Sequence, residues 1–281
     1  MGINKKIAIL SGKGGTGKTL VSVNLAAADG SGYYVDCDVE EPNGHLYFKP
    51  QICEEKTVSV LIPKINQELC TGCKECVKFC KFNALAFGEK VILFKEICHS
   101  CGGCALVCPA KAITETEKTV GIVNIGLSEN VKTISGIMNT GEASGVPIIK
   151  NILEYIKDKS GYIFVDCPPG SACIVMESIK DANYCILVAE PTIFGAHNLA
   201  MVYELVKVFN KKCGVVLNKC TDDDNPSEKF CKDNNIEVLA KIPFDKELGE
   251  LNSNGKIAVR ESYSNKKLFY SLLNKIKEAA L

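Results

Sequence analysis

Apolar residues in the first part of the chain fall into short unbroken runs, and polar glycine-rich segments separate those runs from stretches with helical spacing. Lys6 to Leu10 reads as a buried strand. A glycine-rich turn follows, and Lys18 to Ala28 has the composition of a helix. Further runs of the buried-strand type are Tyr33 to Val35, Tyr162 to Val165, Tyr184 to Val188 and Val215 to Leu217. Helical patterns lie around Ile148 to Lys157 and Ala196 to Phe209. Strands alternating with helices predict an α/β fold, a parallel sheet covered by helices on both faces. Between about Pro63 and Glu115 the rhythm stops and no long helical pattern replaces it. This stretch reads as a small inserted domain, 63–115, whose two ends return to the sheet of a discontinuous larger domain, 1–62 and 116–281.

Composition narrows the function. The chain has 281 residues with 46% hydrophobic and 23% charged residues, enough to build a core. Lys plus Arg and Asp plus Glu are both 33, so no polyanion-binding surface is expected and nucleic acid is not an expected partner. No apolar run reaches the roughly 20 residues that span a bilayer. The amino-terminal segment runs into a strand without a cleavage region, so a cytoplasmic protein is expected. The 16 cysteines are the outlying feature. Without a secretory signal they point to metal rather than disulfides.

The strongest local motif is Ser11-Gly12-Lys13-Gly14-Gly15-Thr16-Gly17-Lys18-Thr19, a G-x-x-x-x-G-K-T loop after a strand and opening a helix. Glycines let successive amide N–H groups turn toward phosphate oxygens, and the helix amino terminus adds partial positive charge. Lys18 is expected to reach the terminal phosphates and the Thr19 hydroxyl to ligate magnesium. Asp36 and Asp38, just past a strand end, stand where a phosphoryl-transfer site needs carboxylates, although turn formation is the simpler role.

The insert carries C-x2-C-x2-C-x3-C twice, Cys70-Cys73-Cys76-Cys80 and Cys98-Cys101-Cys104-Cys108. The duplicated spacing predicts two 4Fe-4S clusters with the fourth cysteine of each run serving the other cluster. Cluster one then takes Cys70, Cys73, Cys76 and Cys108, and cluster two takes Cys98, Cys101, Cys104 and Cys80. Zinc ribbons would use paired C-x-x-C motifs instead. Pro109 follows the second run, but Lys81 replaces that proline after the first, which leaves the turn after Cys80 open.

The string KGGTGKT, with Lys13, resembles the deviant Walker ATPases, the group of MinD, ParA, Mrp and the nitrogenase iron protein. The resemblance implies a homodimer with nucleotides at its interface and Lys13 reaching the partner's nucleotide. It implies further that Asp38, in the run DCDVEEPN, orients the attacking water, that Asp36 supports magnesium, and that Asp166 in VDCPPG holds magnesium while Gly170 meets the γ-phosphate. Asn218 in VLNK would read the adenine edge and Pro243 in KIPFD would flank the base. The chain as a whole resembles MinD-superfamily ATPases that carry an inserted ferredoxin domain. The short stretch from Ala26 to Tyr33 leaves the length of the first helix open.

Three minor features complete the reading. Cys173 has two roles open to it, a buried core thiol or, as in the nitrogenase iron protein, a ligand of a cluster bridging two subunits. Cys185 and Cys213 read as core residues. His45, His99 and His197 do not form a ligand pair. Leu268, Leu272 and Ile276 mark an apolar face on a final helix from Lys266 to Leu281, which is expected to pack on the sheet rather than anchor to a membrane as in MinD. Two modules in one chain predict an ATP-dependent electron donor to a partner protein. A carrier ATPase for iron-sulfur or metal cofactors, like Mrp, is the alternative, and a positioning ATPase ranks last.

Overall fold

The computed structural model describes residues 4–221 and 225–280. The strands are β1 (Asn4–Leu10), β2 (Tyr33–Asp36), β3 (Gln51–Ile65), β4 (Leu85–Phe87), β5 (Val91–Leu93), β6 (Ile113–Ser128), β7 (Val131–Met138), β8 (Gly161–Asp166), β9 (Tyr184–Ala189), β10 (Cys213–Cys220) and β11 (Val238–Pro243). The helices are α1 (Lys18–Asp29), α2 (Gly44–Phe48), α3 (Glu75–Phe79), α4 (Gly103–Leu106), α5 (Val146–Tyr155), α6 (Cys173–Ile179), α7 (Ile193–Val208), α8 (Pro226–Asp233), α9 (Lys246–Ser253), α10 (Ala258–Glu261) and α11 (Tyr263–Ala279).

Nine strands form one sheet in the order β11-β10-β9-β1-β8-β2-β7-β6-β3. From β11 to β7 every pairing is parallel. The central strands are buried on both faces, which is why they read as continuous apolar runs. Helices α5 to α8 pack one face through Ile148, Ile152, Val202 and Val206, and α1, α10 and α11 pack the other through Val21, Leu25, Phe269 and Ile276. Helix α1 ends at Asp29, where Gly30 takes a left-handed conformation and its N–H closes on the Ala26 carbonyl. That settles the first helix length.

The expectation of a purely parallel sheet is corrected at one edge. β6 runs antiparallel to β7, and β3 antiparallel to β6. Their outer residues are largely exposed and charged, so they lack the apolar runs of the central strands. β6 leaves β7 at Gly121, opposite Met138, while its pairing with β3 continues to Ile65 and Ile113. The segment from Ile113 to Val120 therefore projects with its β3 partners as a two-stranded arm, about 25 Å long at strand rise. Because β7 is parallel to β2, the arm leaves the sheet at the carboxyl ends of the parallel strands. The boundaries read at 63 and 115 fall within this arm, where Pro63 and Glu115 are directly paired.

The apolar stripe of the last helix is spent inside the fold: Phe269, Leu272, Leu273 and Ile276 are buried on the α1 side of the sheet. Lys277 adds a 2.8 Å ion pair to Asp29. Leu281, at the end of the stretch read from sequence, lies outside the described residues. No helix among the described residues is long and apolar enough to cross a membrane.

Candidate functional site: the phosphate loop and the cysteine arm

β1 ends at Leu10 and α1 begins at Lys18, so Gly12 to Gly17 form the loop between them. Gly17 caps the helix at φ 96°, and a Cβ there would strike the Asn218 side-chain amide, so only glycine fits. No side chain caps α1 and no acidic residue sits in its first turn, which leaves its amino terminus free for an anion. Neighbouring strands brace the loop. Asn218 is buried and its Nδ2 donates to the Thr16 carbonyl at 2.7 Å, Lys219 Nζ donates to the Gly15 carbonyl at 2.8 Å, and the Gly170 N–H donates to the Ser11 carbonyl at 2.9 Å. Gly14 through Thr19, with Asp38, line a cleft of about 740 Å³ that Asn43, Tyr47 and the segment Asn252 to Gly255 close on the far side.

Three carboxylates meet Lys18 beside this cleft. Asp36 and Asp166 are directly opposite on β2 and β8. Lys18 Nζ lies 2.8 Å from Asp166 Oδ1, with the side chains 7% and 1% exposed. The Tyr34 hydroxyl donates to Asp166 Oδ2 at 3.0 Å. Asp36 is occupied differently. Its oxygens accept the backbone N–H groups of Asp38 at 3.1 Å, Asn43 at 3.1 Å and Gly44 at 2.9 Å, so it holds the loop that carries Asp38. Gly44 lies so close to the Tyr34 ring that a Cβ would overlap it. The carboxylate expected to support magnesium is thus engaged in organising its own loop.

The electrostatics follow from that crowding. Burial and the Asp166 charge push the Asp36 carboxyl up to about 7, although backbone N–H donors and Lys18 pull the other way. Burial also raises Asp38, to about 6, with Lys18 opposing and Asp166, Glu41 and Glu40 reinforcing. Burial lowers the Lys18 ammonium, but Asp166, Asp38 and Asp36 outweigh it and its pKa is raised overall. A divalent cation suits such an excess of carboxylate over ammonium. The Lys18 ammonium has three N–H donors and only one is spent on Asp166, so it can also meet a phosphate in the cleft.

Lys13 is folded onto its own chain. Its Nζ lies 2.7 Å from Glu190 Oε2, and Lys219 Nζ lies 2.6 Å from Glu190 Oε1. Burial alone would raise the Glu190 carboxyl, but the hydrogen bonds from Lys13 and Lys219 outweigh it and hold it below the usual range. Pro243, at the end of β11, is exposed and does not line the cleft. Cys173 opens α6 and is exposed, which corrects its reading as a buried core thiol. Cys185 is buried and Cys213 half-buried.

In the arm-borne segment, the two cysteine runs have matching backbones. Gly72 and Ser100, Lys74 and Gly102, and Asn83 and Lys111 all have positive φ at equivalent places. The N–H of Asn83 returns to the Cys80 carbonyl at 3.4 Å as that of Lys111 returns to Cys108 at 3.1 Å, so the turn after Cys80 keeps its form without a proline. Cys70, Cys73, Cys76 and Cys108 surround one hollow, and Cys80, Cys98, Cys101 and Cys104 surround a second. Burial pushes the Cys104 thiol up to about 11, and Cys98 and Cys101 push the same way. Among the described residues no three His, Cys, Asp or Glu side chains are set closely enough for a single metal ion. His99 stacks on Phe82 at 3.9 Å between ring centroids.

The description of the CobQ/CobB/MinD/ParA nucleotide-binding domain matches residues 7–259. The chain belongs to this family. It is a P-loop ATPase, and the family's members hydrolyse ATP with Mg2+. It is similar to two uncharacterized proteins of Methanocaldococcus jannaschii. MJ0578 is 33% identical over 99% of this chain and 98% of its own length, and MJ0579 is 28% identical over 89% and 90%. The fold is shared with the septum site-determining protein MinD of Pyrococcus horikoshii, solved with Mg-ADP (TM-score 0.63, 21% identity, 98% of this chain and 97% of that one). It is shared equally with the cell division ATPase MinD of Pyrococcus furiosus (TM-score 0.62, 23% identity, 99% of both).

Several parts of the ATPase site carry no motif. Tyr34 reads as an ordinary strand tyrosine, and only the register of β2 against β8 aims its hydroxyl at Asp166. Glu190 follows an apolar strand, and the segment Asn252 to Gly255 lies far along the chain. An ionisable residue one step past a buried strand was the available signal for Glu190.

Proposed function

We propose that this ATPase uses its nucleotide cycle to gate low-potential electron transfer from two 4Fe-4S clusters to a partner protein. The supporting observation is the arm: it carries two sets of four thiols, each set drawing its fourth cysteine from the other run, and it leaves the sheet at the carboxyl ends of the parallel strands, the end at which the phosphate loop follows β1. On this reading residues 63–115 form a ferredoxin-like domain, and the all-thiolate clusters would supply one-electron chemistry. In the ATPase domain, Gly12 to Thr19 cradle the phosphates and Lys18 neutralises them. Thr19 and Asp166 serve magnesium, Asp36 fixes the switch loop, and Asp38 orients water for in-line attack. Lys13 leaves Glu190 to reach the nucleotide of a second copy, with Gly170 turning its N–H from Ser11 to the γ-phosphate. Asn218, already under the loop, reports on the base.

Anaerobic purification with iron counting and EPR, with and without Mg-ATP, tests the proposal. About eight irons per chain and signals that shift with nucleotide are expected. Colourless protein, or spectra and potentials indifferent to nucleotide, would overturn it. Exposed Cys173 favours a second reading, a cofactor carrier in which two copies of this thiol share a labile cluster. Unchanged iron per dimer in Cys173→Ser removes that reading and leaves the first standing.

A further inference from the structure

One row of the sheet carries polar side chains across four strands. Asp166 on β8 is opposite Asp36 on β2, Asp36 opposite Ser135 on β7, and Ser135 opposite Asn124 on β6. Paired residues point to the same face. The first two are fully engaged, as described above. The last two are not: among the described residues, Asn124 Oδ1 and Ser135 Oγ are the buried side-chain polar atoms without a hydrogen-bond partner. A buried polar atom left without a partner is destabilising, and apolar neighbours in the same sheet show that the fold does not need polar groups there.

Both residues line one cavity of about 430 Å³, walled also by Tyr34, Ile52, His45 and Lys49, of which Lys49 also borders the phosphate-loop cleft. The volume falls in the range of small-molecule sites, about 300–1,000 Å³. Asn124 Oδ1 can only accept, so it asks for an O–H or N–H. Lys49 offers positive charge and His45 an imidazole that can hydrogen-bond, and no Asp or Glu lines the cavity to oppose an anion. Ile52 and Tyr34 suit an apolar body.

We propose that this cavity binds a small hydroxy- or amino-carboxylic acid, its donor group on Asn124 and Ser135, its carboxylate toward Lys49 and its hydrocarbon against Ile52. The site is independent of the electron-transfer reading. It lies one hydrogen bond from the nucleotide machinery, because Tyr34 is shared by its wall and by Asp166.

Saturation-transfer NMR on the full chain, held in excess Mg-ADP so that the cleft is filled, tests the assignment. The probes are aliphatic and aromatic hydroxy- and amino-carboxylates, each beside its carboxamide and its analogue lacking the hydroxyl or amine. At least one acid is expected to bind, and to weaken about tenfold or more in Asn124→Leu, in Ser135→Val and when either polar group of the probe is removed. Should a core variant fail to fold, Ile52→Asp, on an exposed residue that lines this cavity and not the nucleotide cleft, must give the same loss. The proposal is overturned if no acid transfers saturation up to about 10 mM. It is overturned equally if binding survives all three variants, if ADP displaces the acid, or if ordered water alone satisfies the two atoms.

Discussion

The phosphate-loop end of the sheet and the cysteine-bearing segment put their chemistry in place by opposite means. Around Lys18 the sheet already exists: Asp36, Asp166 and Tyr34 take their positions from strands buried along most of their length, and the charged groups are carried by that scaffold. Beyond the arm the scaffold is thin. The cluster of buried residues there is Cys76, Leu85, Val91, Cys104 and Ile113, so two of its members are themselves proposed ligands. Phe79, Phe82, Ile97 and Leu106 of the same segment remain exposed, Leu106 at 87%. A packed sheet can hold a charged site ready without its ligand. On the proposed reading, a module this small would draw its folding energy from the clusters its thiols hold.

The largest effect expected from that contrast is on removal of iron. Chelation under reducing conditions should leave residues 66–112 freely exchanging their amides in hydrogen-exchange mass spectrometry, while β1, β8 and β9 keep their protection. Equal protection in both regions after iron loss would erase the distinction.

A nearly as large effect belongs to Lys18. Lys18→Met should lower ATP hydrolysis by about a hundredfold or more, since the charge that meets the terminal phosphates is gone. It also strips Asp166 of a buried partner, at a cost of about 3 kcal/mol in denaturant melts. Adding Asp166→Asn should recover much of the stability and none of the activity, because the neutral amide no longer needs the ammonium. Recovery of activity would show that the pair is structural only.

What was legible in the sequence divides along the same line. The phosphate loop and the cysteine runs are local: spacing alone carries Gly12 to Thr19 and the two sets of four thiols. The central strands were legible because burial on both faces leaves an unbroken apolar run. β3 and β6 were not, since exposed charged residues break up their apolar positions, as in Glu54 and Glu55 of β3 and Glu115 and Glu117 of β6. Tyr34 and the unsatisfied Asn124 and Ser135 depend on register between strands distant in sequence, which no local pattern encodes. Of the two roles the sequence left open for Cys173, the buried one fails because the thiol is exposed at the start of α6.

A moderate effect should appear with pH. An aspartic acid whose folded pKa is about 7 binds its proton more tightly folded than unfolded. Its contribution is therefore complete below about pH 4 and is lost as pH rises through 7. The nucleotide-free protein should lose about 2–4 kcal/mol across that window, measured by chemical denaturation, and Asp36→Asn should flatten the slope. Lys18, with its raised pKa, stays charged throughout and does not add to the slope. A stability that instead rises toward neutral pH would mean that the three backbone N–H donors to Asp36 outweigh its burial beside Asp166.

The smallest expected effect concerns the joint between the two regions. Lys118, on the projecting half of β6, places its Nζ 2.8 Å from Glu142 Oε2 in the ATPase domain and 3.0 Å from the Lys95 carbonyl in the cysteine segment. The pair is mostly buried, at 19% and 11% exposure, yet it lies at the surface end of the sheet, so Lys118→Ala should cost about 1 kcal/mol or less in global stability. Its local consequence should be larger than its energetic one. With the tie cut, amides around Lys95 should exchange faster while those of β6 from Gly121 onward, still paired with β7, should not change. If nucleotide state is transmitted along the arm, the variant should also weaken the response of the cluster signals to Mg-ATP while sparing hydrolysis. Faster exchange with an undiminished response would assign transmission to the β3–β6 ladder itself rather than to this side-chain bridge.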